Sequence, residues 1–342
     1  MVASPRRSTV LRNAGWLLAL TFMATLLGCT LQEYPQSTLH PRADYAWDVQ
    51  HLLEGIVLWV VVIFVLVEGA LVVAIVKFRN RPGLPEPKRV HGHTGLEIGW
   101  TIAPAVVLAF IAVPTVVTIF KTQAKAPPGA LEVKVIGHQW WWEFQYPEFN
   151  VTTGSEMHVP VGRPVSVTLE TADVIHSFWF PAMGGKRDVV PSHTNHMWFT
   201  PESTGTYLGQ CAELCGTSHA NMRMKLMVET PDAFQAWVAA QQGPPVEPDS
   251  TSLAAQGKQA FLATGCVACH TIAGVSGGTI GPNLTHVGSR TSLAGAMFPN
   301  TPEHLAKWIE DPPARKPGTL MIKLGLTADQ IPALVAYLQS LQ

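Results

Sequence analysis

Two long apolar stretches, residues 55–76 and 98–120, constrain this chain more than any other feature in it. Each reaches the roughly 20 residues that an α-helix needs to cross the hydrocarbon of a bilayer. In that solvent a backbone must satisfy its own hydrogen bonds, so the stretches predict two spanning helices, over about 52–78 and about 97–121. The first contains a single charge, Glu68, and the second none. Glu68 would be costly facing lipid, so it must face a partner helix or water, as a packing contact or as part of a proton path. The loop between the stretches carries Lys77, Arg79, Arg81, Lys88 and Arg89, whereas the outer flanks offer Arg42, Lys121 and Lys125. That excess places the loop in the cytoplasm and everything from about residue 122 onward outside.

Composition agrees with a membrane protein: 47% of residues are hydrophobic and only 14% charged. The 23 basic side chains are balanced by 24 acidic ones, which argues against nucleic acid as a partner. Ahead of the spans, Arg6, Arg7 and Arg12 precede an apolar run, 15–27, that ends in Leu26-Leu27-Gly28-Cys29. This reads as an export signal over 1–28. Its ending resembles a bacterial lipoprotein signal, which would leave Cys29 as a lipidated first residue; the other reading is an ordinary signal peptide followed by an unrelated cysteine.

Beyond the spans the periodicity shortens. Segments starting at Leu131, Pro164 and Met224 alternate apolar and polar residues between Gly and Pro, which predicts an antiparallel sandwich or barrel over 130–232. The remaining four cysteines form two close pairs, Cys211/Cys215 and Cys266/Cys269, a spacing suited to metal or cofactor chemistry rather than disulfides. In Cys211-Ala-Glu-Leu-Cys215-Gly-Thr-Ser-His219-Ala-Asn-Met222, with His176 upstream, two thiolates, two imidazoles and a thioether make a soft donor set that selects copper over magnesium or calcium. A mononuclear blue-copper site needs only one of the two cysteines, whereas two thiolates can bridge two ions and let one electron be shared. A structural Cys2His2 zinc site is the alternative, but zinc rarely uses a thioether.

The segments His176-Ser-Phe, Gly209-Gln-Cys-Ala-Glu-Leu-Cys-Gly and His219-x-x-Met222 resemble the copper A site of cytochrome c oxidase subunit II. Gly137-His-Gln-Trp-Trp-Trp-Glu-Phe and Glu97-x-x-Trp-Thr-x-x-Pro104 are similar to the same family, and the resemblance runs over about residues 45–232. It implies a cupredoxin-like all-β sandwich behind a two-helix transmembrane hairpin. It also implies that His176, Cys211, Cys215, His219 and Met222 ligate copper. Glu213 would bind copper through its carbonyl and turn its carboxylate to a magnesium ion shared with subunit I. Trp140 becomes the electron-entry residue, with Trp141 and Trp142 in the aromatic core, and Glu97 the carboxylate at the mouth of a proton path.

After a Pro-rich linker, 240–251, residues 252–342 carry Cys266-Val-Ala-Cys269-His270, the attachment sequence for c-type haem with its axial imidazole. A thioredoxin-like redox pair is the other use of such spacing. A histidine directly after the pair and an exported location favour haem. Met297 and Met321 are the thioethers that follow. The region resembles a small, all-α class I cytochrome c, and that resemblance selects Met321 as the second axial ligand, with His286 and His304 as surface or structural residues. The domain holds six basic against four acidic residues, while 132–232 holds six against eleven, so a weak, salt-screened attraction between the two outer domains is expected.

Together these resemblances imply an electron-transfer subunit of a bacterial terminal oxidase in the cytoplasmic membrane. Its copper and haem domains would lie on the periplasmic side, its partners being subunits I and III and a cytochrome c or other donor. A copper A subunit of a nitric oxide reductase, or a membrane-tethered electron or copper carrier without a catalytic partner, are the alternatives. Two spans and Glu68 exceed what tethering requires.

Overall fold

The computed structural model describes residues 35–83 and 91–342; the signal segment, Cys29, Lys88 and Arg89 lie outside the described residues. Helix α1 covers Asp44–Lys77 and α2 Thr94–Thr122, both long and apolar enough to span a bilayer. They form a hairpin in which Trp59 stacks on Phe110 with ring centroids 5.7 Å apart, and Lys121 reaches Asp48 at 2.6 Å. Helix α2 starts with a reciprocal cap: His93 Nδ1 accepts from the Leu96 amide, and Glu97 Oε1 accepts from the His93 amide.

Helix α1 begins at Asp44, well before the expected residue 52, because its first turns are not in the membrane span at all. They are fastened to the outer domain. Ala43 and Ala46 are buried, Asp44 Oδ1 accepts from the Thr200 amide at 2.7 Å, and Trp47 Nε1 donates to Glu202 at 2.8 Å. Tyr45 packs against Gly184 and Gly185, where an added Cβ would come within 2.6 Å and 2.9 Å of its ring and hydroxyl.

The outer domain is a sandwich of two five-stranded sheets. Strands β1 (Leu131–His138), β2 (Trp141–Tyr146), β3 (Val151–Gly154), β4 (Glu156–Pro160), β5 (Val165–Thr171), β6 (His176–Trp179), β7 (Arg187–Val189), β8 (Asn195–Phe199), β9 (Gly205–Cys211) and β10 (Arg223–Glu229) assemble in the orders β3-β2-β1-β5-β8 and β4-β10-β9-β6-β7. Alternation sends Leu131, Val133 and Val135 of β1, Val165, Val167 and Leu169 of β5, and Met224, Leu226 and Val228 of β10 into one core. Two pairs, β1 with β5 and β4 with β10, are parallel, which corrects the purely antiparallel expectation. Alternation reports which face is buried and is silent on strand direction.

Helix α3, Pro231–Gln242, was not foreseen, and it takes in residues 240–242 of the expected linker. Its start is well signalled: Thr230 Oγ1 accepts from the Ala233 amide and proline stands at the first turn. Phe234 and Val238 enter the sandwich core. The C-terminal domain follows with α4 (Leu253–Ala263), α5 (Cys266–Cys269), α6 (Pro302–Glu310), α7 (Pro312–Arg315) and α8 (Gln330–Ser340), plus two short two-strand ladders. Helices α4 and α8 cross at Gly257, where a Cβ would lie 1.9 Å from the Ala333 carbonyl oxygen; only glycine permits that approach.

Candidate metal centre

Strands β6 and β9 are antiparallel neighbours in register Phe178↔Cys211, so His176 at the start of β6 and Cys211 at the end of β9 share one end of the sheet. The loop after Cys211 is held from below by Ala212 N to the Ser177 carbonyl at 3.0 Å and Cys211 N to the Met222 carbonyl at 2.9 Å. A short 3-10 turn, His219–Asn221, then returns the chain to β10. These constraints converge five donors. Cys211 Sγ lies 3.7 Å from Cys215 Sγ and 4.0 Å from His176 Nδ1; Cys215 Sγ lies 3.6 Å from His219 Nδ1 and 3.8 Å from Met222 Sδ. The Glu213 carbonyl oxygen comes within 3.2 Å of Cys211 Sγ. His176, Cys211, Cys215 and Met222 are buried, and Leu214 projects outward, 78% exposed.

Electrostatics follow from that crowding. The Cys215 thiol donates to Cys211 and lowers the Cys211 pKa to about 3 against the opposing effect of burial, while Cys215 itself is pushed far up by the neighbouring sulfur. The pair therefore loses a first proton readily and a second only when cations supply the compensating charge. Burial disfavours a charged His176, but the Asp173 carboxylate 2.7 Å from Nε2 and the Cys211 sulfur outweigh it and raise the pKa. Asp173 is in turn held by the Gln139 and Val174 amides, at 2.6 Å and 2.7 Å. With Nε2 tied to a carboxylate, Nδ1 is left for a metal, the arrangement that orients histidine ligands. The side chains fit a pair of soft ions.

Trp140 is only 7% exposed, and its Nε1 donates to the Cys215 carbonyl at 3.0 Å. Trp142 is fully buried, edge-on to His176, and Trp141 stacks on His138. Gly137 is required beside them, since a Cβ there would sit 2.9 Å from the His176 ring. The Glu213 carboxylate faces Lys186 at 3.3 Å, a cation of this same chain. Glu97 is distant from this site, at the far end of α2.

In the C-terminal domain Cys266 and Cys269 occupy one helical turn, and His270 follows with Nδ1 2.9 Å from the Pro282 carbonyl oxygen. That bond leaves Nε2 available, and burial holds the imidazole below its usual pKa, in the neutral form that binds metal. Gly281 makes room for the ring: a Cβ would lie 2.5 Å from it. Met321 packs against the domain core. Of the surface and structural readings of His286, the structure selects the structural one: the ring is buried, and neither of its nitrogens has a hydrogen-bond partner.

Two residues escaped the sequence reading. Asp173 could have been found from its place three residues before His176. Lys186 could not, since its partner Glu213 lies on a different loop.

A two-helix membrane anchor, a sandwich with a soft-donor pocket at one end, and a helical domain with a haem-attachment motif define a membrane-anchored redox protein. Comparison with known proteins narrows this. Residues 40–117 match the cytochrome c oxidase subunit II transmembrane domain, 150–230 its periplasmic domain, and 254–342 cytochrome c. Cytochrome c oxidase subunit 2 of Alkalihalophilus pseudofirmus is 39% identical over 97% of this chain and 98% of its own, and that of Bacillus sp. strain PS3 is 37% identical over 78% and 80%. The crystal structure of the periplasmic domain of subunit II of cytochrome oxidase from Bradyrhizobium japonicum is 36% identical, covering 34% of this chain and 96% of that one, with a TM-score of 0.33. The chain belongs to the cytochrome c oxidase subunit II family, and it is a subunit of a haem–copper oxidase that carries a C-terminal cytochrome c domain.

Proposed function

We propose that this chain receives electrons at its own cytochrome c domain and relays them through a dinuclear copper centre to haem in subunit I. The observation that carries the reading is the convergence, at one end of the sheet, of two thiols 3.7 Å apart with two imidazole Nδ1 atoms and a thioether. His176, Cys211, Cys215, His219, Met222 and the Glu213 carbonyl would hold copper A; Cys266, Cys269, His270 and Met321 would hold haem c. When bound, these groups supply one-electron carriers that change charge with little change in geometry.

The protein's own contribution is to hold the donors rigid. The amide bonds beneath the loop, the Asp173 carboxylate behind His176 and the Trp142 ring beside it all restrict movement of the ligands. Trp140, bonded to the Cys215 carbonyl, joins the outer face of the copper loop to whatever packs on it. Glu97, at the cytoplasmic mouth of α2, would pass protons toward subunit I. A magnesium ion between subunits would have to compete with Lys186 for the Glu213 carboxylate. The outer domains lie on the periplasmic side of a bacterial cytoplasmic membrane, subunit III and an upstream cytochrome c complete the partners, and Cys29 would carry the lipid.

Purification in mild detergent tests this. The chain should bring with it a haem-bearing membrane subunit that consumes oxygen, and Cys215→Ser should abolish oxygen consumption while leaving that subunit associated. Full turnover in Cys215→Ser would sink the relay.

A further inference from the structure

We infer that the haem-motif domain is seated in one fixed position over Trp140, that Lys316 is the positioning residue of this seat, and that the seat closes the Trp140 face to any separate donor protein. The inference rests on the relay proposed above. Lys316 is 3% exposed, and its Nζ donates to the carbonyls of Trp140 at 2.5 Å, Asn221 at 2.9 Å and Ala294 at 2.7 Å. An ammonium has three N–H donors and no acceptor, so three carbonyls satisfy it completely. Two of those carbonyls belong to the copper domain: one is on Trp140 itself, the other on the residue before Met222. The third belongs to the haem-motif domain. A buried ammonium displaced from such a site loses its partners without regaining water, so this contact fixes register as well as adhesion.

A second buried ion, of opposite sign and from the opposite domain, does the same some way along the seam. Glu156 of β4, 2% exposed, accepts from the Thr291 amide at 3.1 Å, the Thr291 hydroxyl at 2.6 Å and the Ser292 hydroxyl at 2.5 Å. Along the same seam, the Arg223 amide donates to the Gly295 carbonyl at 3.1 Å and the Ser218 hydroxyl to the Pro317 carbonyl at 2.6 Å. Backbone lies directly on the indole: a Cβ at Gly318, φ +82°, would be 2.7 Å from Trp140 Cη2, and one at Gly295, φ +76°, would be 2.6 Å from Lys316 Nζ. With the seat filled, no other protein can reach the Trp140 ring, and outside electrons must enter through the haem domain's own surface.

The test uses the full chain in its assembled complex, with Lys316→Met and Glu156→Gln. Amide exchange at Arg223 and Thr291 reads the seat without reference to any cofactor. In the parent these amides should be protected like the sandwich core, and in Lys316→Met they should exchange roughly tenfold faster. Electron arrival at copper by way of the haem should slow by roughly tenfold or more. Copper content, haem attachment and direct reduction of copper by a small ruthenium photoreductant should stay as in the parent, which a general loss of folding would not allow. Should Lys316→Met fail to assemble, Glu156→Gln keeps the shape and gives the same readings. Unprotected amides in the parent, or variants with unchanged exchange and unchanged transfer, would overturn the seat. A parent chain that binds neither copper nor haem yet protects these amides would instead overturn the relay and leave the seat standing.

Discussion

Asp173 and Trp140 show how much of the metal loop's behaviour is set by side chains that donate no ligand atom. Asp173 fixes His176 through a 2.7 Å contact and is itself held by two amides. Replacing it with asparagine keeps the shape and removes the charge, so copper affinity should fall roughly 10–100-fold, as is usual when such a partner is lost. Competition against a copper chelator measures this, and unchanged affinity would mean that Asp173 only serves the turn. Trp140→Phe removes the Nε1 donor to the Cys215 carbonyl while keeping a ring. Electron arrival at copper should slow while the copper spectrum holds; equal arrival rates would take the indole out of the path.

At the scale of elements, the first helix does two jobs, and its sequence announces only one. Residues 55–76 are readable as a span because nothing but apolar length is needed, whereas the turns from Asp44 to His51 mix charged, polar and apolar residues and are fastened by local contacts to Gly184, Gly185 and Thr200. Gly184→Ala would drive a methyl into the Tyr45 ring, so the outer domain should lose about 1–3 kcal/mol by denaturant titration. A neutral outcome would show that the helix is fastened elsewhere. The second helix offers the matching proton test: Glu97→Gln should slow oxygen turnover while electrons reach copper at the parent rate, and equal slowing of both would remove Glu97 from proton entry. The close-set donors Cys211, Cys215, His219 and Met222 were legible because one loop carries all of them. Asp173 needed the turn geometry before β6, the parallel pairs needed the tertiary fold, and helix α3 was overlooked although Thr230 and Pro231 mark its start.

For the whole molecule, the sequence pointed to two outer domains of differing charge joined by a linker, and so to a weak, screened attraction. The structure joins them instead through two buried ions and a run of backbone contacts, none of which net charge can reveal, because each depends on where a single side chain ends up. The account as a whole stands on the chain holding two coppers that share one electron. The most direct measurement is electron paramagnetic resonance of the purified full chain after copper loading, with metal content determined on the same sample. The account predicts two coppers at the loop and an unpaired electron split equally by two copper nuclei, with the sharing lost in Cys211→Ser or Cys215→Ser. One zinc, or hyperfine structure from a single copper nucleus, would contradict it.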